Sequence, residues 1–378
     1  MSWPAGLPAA PSRPLVFSLT PETRPPTTQP VLYLDANATE SPRPEASAAA
    51  AAAMALGGNP SSVHGQGRAA RRLLENARDN LAARFGIAPA DLIFTSGGTE
   101  ANALALHGRG EGRRLLAGAT EHAAVRAFPH QPIPVLPDGT LDLDALRTLL
   151  DGPPALVAVM AANNETGVLH PLSEVAALCR AHGALLHVDA VQAAGRIDLG
   201  DEWDSLALSG HKLGGPMGAG ALLLAPGTQP RAMLAGGGQE RGRRGGTEPL
   251  PAIAGMAAAA GAAPRDLSGL RDAIEAGLPD HIRIAGLGAP RLPNTTQIIL
   301  PGVAAERQVL VLDQAGICVS AGAACSSGKV ARSHVLEAMG FGADAGCGIR
   351  VSLPWDAPAD AAARFLVAYR AMAVRLTR

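Results

Sequence analysis

Cysteine is scarce in this sequence, and long apolar runs and an excess of one charge are both missing. The four cysteines among 378 residues form no CxxC pair and no regular framework, which fits a reducing compartment such as the cytoplasm. No run of about 18 apolar residues is present, so no membrane span is expected. The formal net charge of −1 leaves no global field to attract nucleic acid or an anionic membrane. Any partner must therefore be recognised by local groups.

The length and the proline distribution divide the chain. Residues 1–30 hold eight prolines and lack the basic start and apolar core of a signal peptide, so we expect an extended arm there. The whole chain exceeds the roughly 250–300 residues at which a single core stops growing, and 47% of its residues are apolar. We expect a large domain over 31–255, with its first residues free to pack on a smaller domain over 256–378.

The large domain alternates helical patterns with short apolar runs. Helical patterns cover 68–85 and 171–183. Strand-like runs cover 92–96, 155–162, 185–190, 205–209 and 220–226. Because these runs are apolar on both faces, they predict a mostly parallel sheet covered on both sides, with ligands beyond the carboxyl ends of its strands. After an alanine-rich helix at 252–263, shorter strands at 295–300 and 316–322 predict a smaller α+β domain.

Polar residues follow three of these strands. Asp189 ends the strand in "HVDAVQ" (187–192) and needs a partner there, which a helix cap or an arginine would supply. The pyridinium nitrogen of pyridoxal phosphate (PLP) would also serve, because an aspartate keeps that ring protonated. Lys212 follows the next strand in "SGHK", where an amine removed from water becomes a nucleophile able to form a Schiff base.

A third loop, "SGGTEAN" (96–102), lies between a strand and a helical pattern. Its glycines let backbone amides at the helix N-terminus face an anion, with the Thr99 hydroxyl as a further donor. An ordinary turn and helix cap explains the same residues, and the loop by itself does not decide between the two interpretations.

The order of short motifs along the chain resembles one family. SGGTE, TEH, NNE, HVDAVQ, SGHK, RGRRGGT and AGAACSSG follow one another as in the cysteine desulfurases, fold-type-I PLP enzymes of the aminotransferase class V superfamily, and the match runs from "YLDANAT" (33–39) to "IRVSL" (349–353). The resemblance implies an α/β fold with a large domain built on a mostly parallel seven-stranded sheet, a smaller α+β C-terminal domain, and a homodimer.

The resemblance also implies a role for each matched residue. Lys212 would form the Schiff base with PLP and then shuttle the Cα proton of the substrate, Asp189 would pair with the pyridinium nitrogen, and Gln192 would donate to the ring hydroxyl. His122 of "TEHAAV" would stack on the ring and act as an acid or base. The implied phosphate ligands are Gly98, Thr99, Ser209 and His211, joined by Thr247 from the second subunit. The implied substrate ligands are Asn37, Asn164, which also contacts the cofactor, and Arg350, which would grip the α-carboxylate.

Cys325 would carry the sulfur chemistry. It lies among small residues in "SAGAACSSG" (320–328), and the resemblance implies that its thiolate attacks the sulfur of the substrate L-cysteine, leaving a persulfide and releasing alanine. The sulfur would then pass to an acceptor protein, such as an iron–sulfur scaffold or a tRNA-thiolation relay, or into a cofactor pathway. Cys179, Cys318 and Cys347 are interpreted as small buried hydrophobic residues.

Other functions fit the sequence less well. "GGGQERGRRGG" (236–246) superficially resembles RGG segments that bind RNA, but the chain as a whole carries almost no net charge. The ten histidines form no HExxH or similar spacing, so no metal site is expected. A selenocysteine lyase or another class V aminotransferase remains an alternative, because neither would need Cys325.

Two stretches depart from the family pattern. "ATES" (38–41) stands where the family usually has ATTP, and "SLPW" (352–355) stands where it has SLGR.

Overall fold

A computed structural model describes residues 30–109, 112–322 and 332–377. Within these ranges the chain forms 11 α-helices and 12 β-strands. The helices are α1 (Pro44–Leu56), α2 (Gly65–Arg84), α3 (Gly98–Arg109), α4 (Ala123–Arg126), α5 (Leu143–Leu150), α6 (Leu172–Ala181), α7 (Leu250–Ala260), α8 (Ser268–Ala276), α9 (Ala305–Gln314), α10 (His334–Ala338) and α11 (Ala361–Leu376). The strands are β1 (Leu32–Tyr33), β2 (Leu92–Thr95), β3 (Arg114–Gly118), β4 (Gln131–Ile133), β5 (Ala155–Met160), β6 (Leu185–Asp189), β7 (Ser205–Ser209), β8 (Gly220–Leu224), β9 (Arg283–Ala285), β10 (Thr295–Ile299), β11 (Ile317–Cys318) and β12 (Gly348–Ser352).

Seven strands form the large sheet, in the order β2-β8-β7-β6-β5-β3-β4. Strand β8 is antiparallel to both of its neighbours, and the pairs from β7 to β4 are parallel. Six strands therefore run in one direction and β8 in the other, which confirms the expected mostly parallel seven-stranded sheet.

Helices cover both faces of this sheet, as the doubly apolar runs predict. On β5, Val157 and Val159 belong to a cluster with α2, α6 and α7, whereas the alternating Leu156 and Ala158 pack with Leu106 of α3. Period-two alternation sends successive side chains to opposite faces, so a strand buried on both sides must be apolar throughout.

A second core lies around the smaller sheet. Strands β12, β10 and β9 form an antiparallel sheet, and β1 pairs in parallel with β11. Leu32 and Leu34 pack with Phe365 and Tyr369 of α11 in the hydrophobic cluster of this region. Helix α7 crosses the expected boundary at residue 255, and its Met256 is buried in the core of the large sheet.

The strand-like runs of the sequence omit two strands of the large sheet. Strand β3 begins with Arg114, and β4 has only three residues, one of which is Pro132. A charged residue and a proline break the apolar pattern, yet β4 is tolerated because it lies at the sheet edge. Among the described residues, no helix is both long and apolar enough to cross a membrane.

Candidate active site

A cavity of about 790 Å³ opens at the carboxyl ends of the large-sheet strands. This is the position expected for a ligand site in an open parallel sheet. It brings together most of the residues to which the sequence assigned a role. Those that line it are Asn37, Gly98, Thr99, His122, Asn164, Asp189, Gln192, Ser209, His211, Lys212 and Arg350.

Lys212 ends a short 3₁₀ turn that directly follows β7. Its Nζ donates to the Asn37 carbonyl and, at 2.8 Å, to the Ala38 carbonyl. Burial, with a smaller contribution from the nearby Arg350 and Arg196, lowers the pKa of Lys212 to about 7. A substantial fraction of this amine is therefore unprotonated near neutral pH, as a nucleophilic lysine requires.

Asp189 is the last residue of β6 and is buried. Its Oδ1 accepts the Val191 N–H at 3.0 Å, and its Oδ2 accepts an Nδ2 hydrogen of Asn102 at 2.7 Å. Burial raises the pKa of this carboxyl, while those two donors and the nearby His122 and Lys212 oppose the rise. Asn102 lies inside the quoted motif SGGTEAN, but its link to Asp189 depends on the packing of α3 and was not foreseen.

The loop between β2 and α3 forms a cradle for an anion. Helix α3 begins at Gly98, so its unpaired N-terminal amides lie at the cavity. A Cβ on Gly98 would lie 2.5 Å from Val191 Cγ2 and 3.4 Å from Ser209 Cβ. This position therefore has room only for glycine. His211 Nδ1 lies 3.1 Å from the Thr39 hydroxyl, which fixes the ring beside the cradle.

His122 is the N-cap residue of α4. Its Nδ1 accepts the Ala124 N–H at 3.1 Å, so the neutral ring carries its proton on Nε2. Burial lowers the pKa of His122, and the charge of Lys212 acts in the same direction against an opposing effect of Asp189. The ring is therefore mostly neutral at neutral pH and is able to accept a proton.

Arg350 reaches the cavity from β12. Its Nη2 donates to Asp35 Oδ1 at 2.6 Å and its Nη1 to the Asn164 carbonyl at 3.1 Å, while its buried Nε has no partner among the residues that the structure describes. Asn37 is held by the Thr295 hydroxyl, to which its Nδ2 donates at 2.9 Å. Asp35 is a site residue that the sequence reasoning missed, although it lies in the quoted "YLDANAT".

A buried carboxyl group also lines the cavity without having been predicted. Glu165 of the NNE motif accepts the Ser333 hydroxyl at 2.6 Å, and burial raises its pKa. The motif was recognised in the sequence, but only the neighbouring Asn164 received a role.

Gln192 lines the cavity with its amide bonded to other protein groups, whereas Thr247 and Cys325 are not part of the described cavity. Gln192 uses one Nε2 hydrogen on the Asn37 carbonyl at 2.9 Å, and its Oε1 accepts from Arg196 at 3.0 Å. Thr247 is exposed and does not line the cavity of its own chain. Cys325 lies outside the described residues. In the part of the chain that is described, no group of three or more potential metal ligands is present.

Comparison with known proteins places this chain in a family. The family model of aminotransferase class-V matches residues 32–361. Cysteine desulfurase of Cereibacter sphaeroides is 42% identical over 335 residues, covering 82% of this chain and 86% of that protein. Cysteine desulfurase of Trichormus azollae is 39% identical over 339 residues, covering 82% of this chain and 84% of that protein. The chain belongs to the cysteine desulfurases of the aminotransferase class-V family.

A solved structure agrees with this assignment. The NifS-like protein from Rickettsia africae ESF-5 superposes with a TM-score of 0.84 at 33% identity, covering 90% of this chain and 99% of that one. The fold of the NifS-like protein therefore extends over both cores described above, and this likeness confirms the fold-type-I architecture expected from the sequence.

Proposed function

We propose that this protein is a PLP-dependent cysteine desulfurase that takes sulfur from L-cysteine, releases L-alanine and holds the sulfur as a persulfide on Cys325. The observation that carries the proposal is the convergence of Lys212, Asp189 and the α3 cradle on one cavity, in a chain whose curated relatives are cysteine desulfurases. An amine, a carboxylate and an anion cradle are the groups that PLP requires at its aldehyde, ring nitrogen and phosphate.

The donor set of the cavity fits this cofactor. Lys212 would hold it covalently, Asp189 would face the ring nitrogen, and the phosphate would lie at the cradle. A Cβ on Gly98 would fill that cradle, and among the described residues the donors to the buried carboxyl of Asp189 are the neutral Asn102 amide and Val191 N–H. When bound, PLP supplies an electron sink for the bonds at the substrate Cα.

The chain's own groups would then divide the work. Arg350 would bind the substrate carboxylate, with Asp35 fixing the plane of its guanidinium. The unprotonated amine of Lys212 would take and return the Cα proton, since its lowered pKa suits transfer in both directions near neutral pH. His122, which is mostly neutral, would serve as a second proton acceptor.

The sulfur step is assigned to Cys325. Its thiolate would form a new S–S bond with the substrate sulfur as the C–S bond of cysteine breaks. The carbon keeps the electron pair and takes a proton, which gives the methyl group of alanine. The persulfide would then pass to an acceptor protein for iron–sulfur cluster, thio-cofactor or tRNA biosynthesis. A thiol in this role fits the cytoplasm expected from the cysteine pattern.

A homodimer is part of the proposal. Thr247 is exposed and does not line the cavity of its own chain, and Met217, which does line it, is 69% exposed. A second subunit that covers Met217 and contributes its Thr247 to the cradle would account for the exposure of both residues in the single chain. Mixing Lys212→Ala subunits with Thr247→Ala subunits should then restore activity in the hybrid dimer.

The deciding experiment measures alanine and sulfide released from L-cysteine with a thiol reductant. The proteins compared are wild type, Cys325→Ala and the control Cys179→Ala, whose thiol is buried and has its pKa raised to about 12 by burial. We expect equal yields of both products from wild type and the control, and neither from Cys325→Ala. Activity that survives in Cys325→Ala would contradict the persulfide step, and release of alanine from selenocysteine alone would identify a selenocysteine lyase.

A further inference from the structure

Asp189 ends a chain of hydrogen bonds that runs through the interior of the large domain. Asn102 Nδ2 lies 2.7 Å from Asp189 Oδ2, Asn102 Oδ1 lies 2.8 Å from His187 Nε2, and His187 Nδ1 lies 2.9 Å from the Ser205 hydroxyl. Asn102, His187 and Ser205 are all buried, with at most 1% of each exposed. Asn102 lines the cavity, whereas His187 and Ser205 do not.

The strand register and the helix period explain how these residues meet. His187 and Asp189 are two residues apart on β6 and so share one face of the sheet. Ser205 of β7 lies directly opposite His187 in the parallel register. Asn102 is one turn after Gly98 on α3, so the helix that begins at the anion cradle also reaches Asp189.

The chemistry of each group determines which atom donates in each hydrogen bond of this series. An ionised Asp189 only accepts, so Asn102 must present its Nδ2 hydrogens to it and its Oδ1 to His187. His187 must then donate from Nε2, and the Nδ1 of the neutral ring accepts the Ser205 proton. All three donors therefore point toward Asp189, and hydrogen bonds aligned in this way strengthen one another in a low-dielectric interior.

Asp189 needs these hydrogen bonds because some of its neighbours favour its ionised form and others oppose it. Apart from Asn102, the Val191 N–H is its direct donor, and the titratable groups that lower its pKa are His122 and Lys212. Glu121 also faces it, and burial together with the charge of Asp189 raises the pKa of Glu121 well above its usual value. A fully buried carboxyl with few donors tends to take a proton.

We propose that Asn102, His187 and Ser205 are positioning residues that keep Asp189 ionised and oriented, and so keep the ring nitrogen of bound PLP protonated. The proposal rests on the proposed function, in which Asp189 faces that nitrogen. It predicts that substitutions in this hydrogen-bond chain affect the protonation of the ring nitrogen less with distance from Asp189, in the order Asn102, His187 and Ser205.

The test uses the holoprotein loaded with PLP that carries ¹⁵N at the ring nitrogen. The ¹⁵N chemical shift reports the protonation of that atom while pH is varied over the range in which the protein stays folded. In Asn102→Leu we expect the ring nitrogen to lose its proton about one pH unit lower than in wild type. His187→Leu should give a smaller shift and Ser205→Ala the smallest, whereas His187→Gln, which keeps a donor toward Asn102, should stay closer to wild type than His187→Leu.

The control is His170→Leu. His170 is also buried, and its ring nitrogens have no hydrogen-bond partner in the structure, so its loss should leave the ring nitrogen unchanged. An unchanged titration in Asn102→Leu, or an equal shift in His170→Leu, would overturn the proposal. If Asn102→Leu does not fold, the smaller Asn102→Ser gives the same comparison.

Failure of the proposed function has a different signature. Wild type would then bind no PLP, and borohydride would attach no pyridoxyl group to Lys212. A wild type that binds PLP and releases alanine, together with variants that all retain a protonated ring nitrogen, would overturn the positioning role alone.

Discussion

Trp355 and Ser41 join the two stretches in which the chain departs from its family. The Trp355 indole N–H donates to the Ser41 carbonyl at 2.9 Å, and the Trp355 backbone N–H donates to Glu40 Oε1 at 3.2 Å. The second oxygen of Glu40 pairs with Arg196 at 3.1 Å, and Arg196 binds Gln192 at the cavity. The departures ATES and SLPW therefore contact each other, and together they link the segment after β12 to the candidate active site.

This contact predicts that family residues restored one at a time will destabilise the protein. Glu40→Thr leaves the largely buried guanidinium of Arg196, 10% exposed, without its carboxylate partner, and breaking a buried ion pair typically costs about 3–5 kcal/mol. Trp355→Arg removes the indole donor and sets a cation beside Arg43, whose guanidinium now lies 4.9 Å from the indole ring centroid. In urea unfolding, the double variant should differ from the sum of the single variants by about 0.5–3 kcal/mol. Strictly additive losses would mean that the two departures are independent.

The pKa of Lys212 predicts how its reactivity depends on pH. Burial lowers that pKa from 10.5 to about 7, so the amine is protonated below pH 7 and free to react above it. In the cofactor-free protein, reductive methylation of Lys212 should be half-maximal near pH 7 and then level off. The sequence contains only one other lysine, Lys329, so peptide mass spectrometry separates the two sites.

Acetyl-lysine amide in the same solution is the reference for this experiment. Its amine titrates near pH 10.4, so its methylation should keep rising over the range in which Lys212 has already levelled off. Parallel curves for Lys212 and the reference would show that the lysine is not desolvated in solution.

The close packing of Gly98 predicts that Gly98→Ala weakens PLP binding and that a second substitution restores it. In Gly98→Ala the new Cβ would meet Val191 Cγ2 at 2.5 Å, and overpacking of this kind costs about 1–3 kcal/mol. We expect the Kd for PLP, measured by absorbance titration, to rise about tenfold. Val191→Ala removes the clashing methyl group, so the double variant should recover most of the affinity.

Gly269→Ala is the matched control for that substitution. Gly269 lies in α8, and a Cβ there meets nothing within 4 Å, so the affinity for PLP should not change. Affinity that stays low in the double variant would show that Gly98 is needed for a reason other than space.

Residues at strand ends were predictable from the sequence, whereas their partners were not. Asp189 and Lys212 each follow an apolar run, so their position at one sheet edge follows from the alternation of strands and helices. Asp35 is separated from Arg350 by 315 positions, and no local pattern links them. The pair forms only because β1 and β12 belong to the same small-domain core.

The central strands of the large sheet were predictable from the sequence, whereas its edge strand β4 was not. Its central strands β5, β6 and β7 are recognisable in the sequence as mostly apolar runs, because both of their faces are buried. The edge strand β4 has only one buried residue, Ile133, so it lacks the pattern. Edge strands are stabilised by pairing with a neighbour, which the sequence of the strand itself does not encode.

The loop 236–246, whose sequence superficially resembles an RNA-binding segment, predicts a large structural effect of one carboxylate. Glu240 is buried and accepts from Arg78 at 2.6 and 2.9 Å and from the Phe94 N–H at 2.9 Å. These bonds hold Glu240 and Arg241 at φ values of 46° and 60°, a left-handed conformation that costs non-glycine residues about 1–2 kcal/mol each. Glu240→Gln puts an amide donor against the Arg78 donors and leaves the buried Arg78 with only the partly exposed Glu75 as an anionic partner, so we expect the free energy of unfolding to fall by about 3 kcal/mol. Asp144→Asn breaks an exposed pair with Arg147 and should leave urea unfolding unchanged; a similarly small effect of Glu240→Gln would mean that the loop does not depend on its buried anchor.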